Sequence, residues 1–287
     1  MSLWNNDVEK RFFLEALGSF ATTEKLFYRL ESGKFAYIPK NCSANSQTLQ
    51  SRNALIGNFT ETWVKTLFEP IAKKFSLFAV NNVECPEVGL IKRSEADLAF
   101  CTTDSNNQPA KNIKIIFEIK MSIVSNYKYI SQNNIEFIGD YKTHKGNPSL
   151  LRSDSMLKAI GKSINIRVSG VDSAEIPIIV LGNSPISNSY CHKVDFLKTA
   201  GVIQGFWSLN PKPTESEYIK HSEKNGFYTP KNINEIEKLV NILLGEKLNY
   251  FSSMVSHKKL GEYIRIANEE PSDEAKAKKF LLLIRGI

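Results

Sequence analysis

Apolar residues recur at helical spacing through the first part of the chain. Over residues 6–32, Phe12, Phe13, Leu17, Phe20, Leu26, Phe27 and Leu30 predict helix, broken at Gly18 or at Thr22 and Thr23. The polar stretch 39–51 predicts a loop. Residues 57–75 predict a second helix with Phe59, Trp63, Leu67 and Ile71 on one stripe, kinked or restarted at Pro70. The pattern then changes to short apolar runs suited to strands: 77–83, 96–102 and 113–121. The last two flank the turn-rich segment 102–112 and predict a hairpin.

A basic and polar stretch, 126–148, follows the hairpin. Residues 153–167 predict a helix, with Ser153 or Asp154 as N-cap and Met156, Leu157, Ile160 and Ile164 facing inward. The run 175–181 suits a buried strand. Residues 201–218 read as loop, 233–250 as an amphipathic helix, and 272–287 as a final helix, polar first and then apolar. Strand, strand, helix, strand, flanked by helices, predicts an α/β domain with a mixed sheet.

Composition narrows the class. With 287 residues and 42% apolar content the chain can bury a substantial core, which excludes a disordered protein. It contains no run of about 18 apolar residues, so no membrane span is expected. The opening MSLWNNDVEKRFF lacks the basic and then apolar pattern of a signal peptide. Cys42, Cys85, Cys101 and Cys191 are far apart with no CxxC spacing, which argues against a zinc cage or a disulfide framework. A reducing, cytoplasmic setting is the expectation, and the sequons at Asn41 and Asn58 then have no consequence.

Lys and Arg number 37 against 30 Asp and Glu, a net charge of +7. Ten basic and four acidic residues fall between Lys111 and Arg167, a net of +6 in 57 residues. The excess charge is therefore concentrated, either as a solvated basic face or as a cleft for a polyanion. Lys142, His144, Lys145, Arg152, Lys158, Lys162 and Arg167 are the candidate polyanion contacts within it, although His144 also reads as a plain surface histidine. Asn126, Tyr127, Tyr129, Gln132, Asn133, Asn134 and Asn147 suit base edges or phosphates, or simply a solvated loop.

The hairpin carries the chemistry. A turn centred on residues 106–109 pairs positions whose numbers sum to about 215, which sets Asp97 opposite Glu118. Asp97, Glu118 and Lys120 then share one face, while Leu98, Phe100, Phe117 and Ile119 share the other. Two adjacent carboxylates repel unless a cation stands between them, and they form an oxygen-rich site suited to Mg²⁺. A lysine two residues along the strand can contact a scissile phosphate and the attacking water. The bland alternative is a cross-strand ion pair on an exposed sheet face.

Asp97, twenty intervening residues, and then Glu118-Ile119-Lys120 in the apolar strand IKIIFEIKM resemble the PD-(D/E)xK nucleases, whose largest group is the type II restriction endonucleases. The resemblance covers roughly residues 57–182, with Ala96-Asp97 in place of the usual Pro-Asp. It implies a restriction-endonuclease-like mixed β-sheet flanked by helices, with helical N- and C-terminal additions. The whole chain is then one elaborated domain: a helical part at 1–50, a nuclease core at about 51–210 and a mainly helical part at 211–287. It further implies catalysis by Asp97, Glu118 and Lys120, Mg²⁺ held by Asp97 and Glu118 with Glu61 joining less securely, and no organic cofactor. The implied substrate is double-stranded DNA cut at a specific sequence, often by a homodimer. The same fold also serves repair, junction and RNA-processing nucleases. A DNA-binding protein without catalysis is the reading from another class.

Other signals are weaker. Pro86-Glu87 is a rival first motif that no strand pattern joins to the hairpin. Asp140-Tyr141-Lys142 and Glu274-Ala275-Lys276 repeat the (D/E)xK spacing in a turn-like and a polar helical context. Gly161-Lys162-Ser163 matches the end of a P-loop but has Met156 where its first glycine belongs. His144, His192, His221 and His257 show no metal-ligand spacing, and no GxSxG elbow occurs.

Overall fold

The computed structural model describes residues 2–19, 21–37, 40, 50–212, 219–245 and 256–285. Phe20, Asn41, Cys42, most of the loop expected at 39–51, part of 201–218 and the last residues of the helix expected to reach Tyr250 lie outside them. In chain order the elements are α1 (Asn6–Ser19), α2 (Thr23–Leu26), β1 (Tyr28–Arg29), β2 (Phe35–Tyr37), α3 (Gln50–Lys74) and β3 (Phe78–Val83). Then come β4 (Ala96–Cys101), β5 (Ile113–Ile119), β6 (Asn126–Ser131), β7 (Asn134–Gly139), α4 (Ser153–Ser169) and β8 (Ile178–Gly182). The chain continues with α5 (Asn188–Thr199), β9 (Gly205–Ser208), β10 (Phe227–Tyr228), α6 (Ile233–Gly245), α7 (His257–Ala267) and α8 (Asp273–Arg285).

Six strands form one mixed sheet in the order β10-β9-β8-β5-β4-β3. β3, β4 and β5 are antiparallel neighbours, whereas β5, β8, β9 and β10 run parallel. Helices cover both faces, so the molecule is a mixed α/β protein as the pattern predicts. The hairpin register is also as expected: Leu98 faces Phe117, Ala99 faces Ile116 and Phe100 faces Ile115, before an irregularity at Phe100 and Cys101.

The alternation along β4 and β5 divides the core in two. Leu98, Phe100, Ile115 and Phe117 pack with residues of α1, α3 and α6. Phe68 of α3 meets both Phe100 and Phe117, which themselves stand edge to face at 4.9 Å. Burying each such ring contributes about 1.5–3 kcal/mol. Ala99, Cys101 and Ile116 turn to the opposite face, where Ile166 of α4 lies, and Val180 and Phe206 meet Met156 of α4 and Val194 of α5. The N-terminal helix therefore belongs to the main core rather than standing apart from it.

Several local expectations are corrected. Helix stops at Ser19 and, after the single turn α2, Tyr28 and Arg29 are strand. Helix α3 begins at Gln50 and runs through Pro70 without ending. The first part of the stretch 126–148 is not a loop: β6 and β7 pair across 126–139 and join β1 and β2 in a second sheet, β1-β2-β6-β7, while 140–148 is turn and irregular chain. Three of its candidate polar and aromatic residues are structural, whereas Gln132, Asn133, Asn134 and Asn147 are exposed and Asn147 lines the cleft beside Lys120. Asn126 is buried and donates to Thr143 Oγ1 at 2.7 Å, Tyr127 is buried, and Tyr129 packs on Phe27. In α4, Leu157 and Ile164 point outward at 62% and 45% exposure, while Met156, Ala159, Ser163 and Ile166 face the core. Small Ala159 and Ser163 let the helix lie close to the sheet, and that close approach selects the buried face. Neither Ser153 nor Asp154 caps the helix, because Ser153 is already its first residue.

Glu9 fixes α1 to the main chain just beyond β5. Its Oε1 accepts from Trp4 Nε1 (3.0 Å) and the Val124 N–H (2.8 Å), and its Oε2 from the Ser125 N–H (3.1 Å) and the Tyr127 hydroxyl (2.9 Å). Four donors on one fully buried carboxylate define the path of the chain as it leaves β5. Among the described residues no helix is long and apolar enough to cross a membrane.

Candidate active site

Asp97 lies near the start of β4 and Glu118 near the end of β5, across the sheet from one another in the observed register. Both point to the α4 face. This is the carboxyl end of the parallel strands, the usual position of ligand sites in open α/β sheets. Asp97 Oδ2 accepts the Ile119 N–H at 2.6 Å, so the carboxylate substitutes for a backbone ladder partner. Lys120 follows directly after β5, and its own N–H donates to the Leu181 carbonyl at 2.7 Å.

Two ammonium groups stand between the two carboxylates. Lys120 Nζ pairs with Glu118 Oε1, lies 3.7 Å from Asp97 Oδ2 and donates to the Ile119 carbonyl at 3.3 Å. Lys162 Nζ, reaching in from α4, lies 2.5 Å from Glu118 Oε2 and 3.3 Å from Asp97 Oδ1. Each carboxylate thus gives one oxygen to each lysine. Lys162 is therefore part of this cluster and not an outer phosphate contact.

Glu118 is buried to 3% exposure, which raises its carboxyl above the ordinary range, with the Asp97 charge adding to the effect and the lysines opposing it. Burial alone pulls the Lys162 ammonium down, but Glu118 and Asp97 outweigh it and the net direction is upward. Glu61 of α3 is half-buried beside the cluster. Desolvation first, and then repulsion from Asp97, push its carboxyl up to about 7. Among the described residues no three His, Cys, Asp or Glu side chains form a ready metal cage, so Glu61 is near the pair without closing a three-carboxylate site.

Oxygens of Asp97, Glu118 and Ile119 surround the Lys120 ammonium, which marks a position where positive charge is held by hard donors. That donor set is chemically suited to Mg²⁺, which takes oxygen ligands and few protein groups.

A cleft of about 600 Å³ opens beside Lys120. Lys145, Arg152 and Lys158 line it together with Asn53 and Gly57 of α3. Asp154 takes part of this charge, at 3.4 Å from Arg152 and 3.0 Å from Lys158. Lys142 is exposed outside that lining, and its carbonyl accepts from Lys40 Nζ at 3.1 Å. His144 lines the cleft wall but is itself largely buried, with Nδ1 2.6 Å from the Gly146 carbonyl oxygen, and burial lowers its pKa. It is therefore a poor DNA contact.

Arg167 is corrected outright. It is buried, with Nε on the Val202 carbonyl (3.1 Å), Nη1 on the carbonyls of Ser173 and Ile176 (2.8 Å to the latter), and Nη2 on Gln204 Oε1 (2.9 Å). It clasps α4 to the loops around β8 and β9 and cannot reach a phosphate. The rival motifs are also structural. Glu87 accepts the Ala110 N–H at 2.6 Å, and Asp140 accepts the Lys142 N–H at 2.9 Å.

Sequence reasoning missed three supporting residues, Ser149, Gly182 and Asn183. Ser149 has a left-handed backbone (φ 50°), donates from Oγ to the Lys120 carbonyl at 2.6 Å and accepts the Asn183 N–H at 3.0 Å. Gly182 lies against it, and a Cβ there would meet Leu150 Cγ at 2.3 Å. The side chain of Asn183 clamps both backbone groups of Ser122. Nothing in spacing or composition marks these residues, because their roles arise from contacts between distant segments. No family model, curated protein or solved structure matches the chain.

Proposed function

We propose that the chain is a Mg²⁺-dependent endonuclease of the PD-(D/E)xK type, with a restriction-endonuclease-like fold, that hydrolyses double-stranded DNA at a specific sequence. One observation carries the reading. Asp97 and Glu118 face each other on neighbouring strands, Lys120 stands with them, and a basic cleft opens at that point.

Asp97 and Glu118, with the Ile119 carbonyl, would hold the ion. When bound, Mg²⁺ supplies Lewis-acid stabilisation of phosphoryl charge and lowers the pKa of water. Lys120, two positions beyond Glu118, offers an ammonium to the scissile phosphate and orients the attacking water by hydrogen bonding. Lys145, Arg152 and Lys158 hold the flanking phosphates, a sequence-independent contribution that positions the duplex. The Asp97 bond to the Ile119 N–H fixes the carboxylate before substrate arrives, and such preorganisation is what an electrostatic site requires.

The test is incubation with phage-sized DNA and Mg²⁺, with EDTA and Glu118→Ala as controls. Discrete bands that disappear in both controls support a sequence-specific nuclease. A smear supports a nuclease without sequence choice. DNA binding without cleavage, indifferent to both controls, overturns the catalytic reading in favour of a binding protein. The homodimer expected of such enzymes is checked by sedimentation of the full chain with and without DNA.

A further inference from the structure

The four charged groups at the site form a closed arrangement. Asp97 and Glu118 each present one oxygen to Lys120 and one to Lys162. Two carboxylates and two ammonium groups cancel, so a divalent ion can enter only where one ammonium gives way.

The two lysines are not equivalent. Lys120 lines the cleft, follows directly after β5, and lies beside the Ile119 carbonyl, a third oxygen able to face an ion. Lys162 is absent from the cleft lining and comes from α4, whose position is fixed by the Arg167 clasp five residues further on. Its ammonium reaches Asp97 Oδ1 and Glu118 Oε2 from the helix side, and among the described residues no backbone carbonyl is seen to accept from it.

Resting on the nuclease reading, we propose that Lys162 is a built-in second cation: it permanently occupies the helix side of the Asp97–Glu118 pair, so the site takes one divalent ion, on the Lys120 side. Lys162 is thus a positioning residue that holds both carboxylates at the spacing the single ion needs. It also relieves their mutual repulsion before any ion binds.

The experiment is a Mn²⁺ titration of the full-length protein without DNA, read by electron paramagnetic resonance for ion count and for spin coupling between adjacent ions. Wild type is expected to bind one ion, and Lys162→Arg, which keeps the charge, also one. Lys162→Met is expected to bind two, with the broadened signal of a coupled pair. Lys162→Gln replaces it if circular dichroism shows the Met variant unfolded. Two ions in wild type, or one in the folded neutral variant, overturn the inference while leaving the nuclease reading intact. Unchanged binding in Glu118→Gln, or none in wild type, overturns the metal-site reading itself and this inference with it.

Discussion

The Asp97 side chain accepts the Ile119 N–H at 2.6 Å, so one residue of β4 both completes the ladder of β5 and aims a carboxylate at Glu118. Structure and chemistry are separable at this position. Asp97→Asn keeps an oxygen acceptor for this N–H but withdraws the charge facing Lys120 and Lys162, so it is expected to lose less stability than Asp97→Ala. Asp97→Ala leaves the N–H unpaired and should lose about 1–3 kcal/mol by urea denaturation. Both variants should lower DNA cleavage by about hundredfold or more, because both remove the charge.

The basic cleft predicts a charge effect without a stability effect. Replacing Lys145, Arg152 or Lys158 by Ala should weaken binding to any duplex. For every phosphate left without its cation, the slope of log affinity against log salt should flatten by about 0.9. Fluorescence anisotropy at several salt concentrations checks this, with melting temperatures expected to change little since the pairs to Asp154 are exposed.

Arg167 should behave in the opposite way. Arg167→Ala abandons the carbonyls of Val202, Ser173 and Ile176 in the interior and is expected to cost about 3 kcal/mol or more. DNA affinity, measured where the variant is still folded, should equal that of wild type.

Glu9→Gln tests the link between α1 and the chain leaving β5. Every partner of Glu9 is a donor, so an amide NH₂ would face donors instead of accepting from them. A loss of about 2 kcal/mol is expected, read by thermal or chemical denaturation.

Glu61 gives a pH dependence with a definite sign. Its carboxyl is raised in the folded protein to about 7, against 4.5 ordinarily. The folded state therefore holds the proton more tightly than the unfolded chain. The associated stability is full below pH 4.5 and lost as pH rises through about 7. Glu61→Gln, fixed neutral, should match wild type at acid pH. It should be more stable at about pH 8.5 by about 1–2 kcal/mol, a figure reduced for the solvent that reaches this half-buried group. Melting curves across that range, without divalent ions, decide it.

The sequence is most informative where side chains alternate. In the hairpin, polar Asp97 and Glu118 interrupt otherwise apolar strands, and that interruption marks register, face and chemistry together. Where burial is set by contacts between distant segments, the pattern misleads. Tyr127 and Asn126 read as loop residues because their partners, Glu9 and Thr143, are supplied by other segments. β9 escapes detection because Gly205–Ser208 is only four residues, too short for a period to show. Leu157 and Ile164 read as core by hydrophobicity, but small Ala159 and Ser163 take the sheet-facing side. The basic residues of α4 are legible as charge and not as place. Lys158 lines the cleft, Lys162 enters the acidic cluster, and Arg167 is sealed inside.

That division along one helix has a mechanical consequence. Arg167 pins α4 along its axis to three fixed carbonyls, so Lys162 is delivered to the carboxylates at a set depth and angle. One residue inserted between positions 162 and 167 would turn everything N-terminal to it by about 100° and shift it by about 1.5 Å relative to the clasp. The ammonium would then swing out of the cluster although no residue of the site had changed. The helix works as a ruler whose zero is Arg167, and the length between the two residues is as much a part of the site as the side chains at its end.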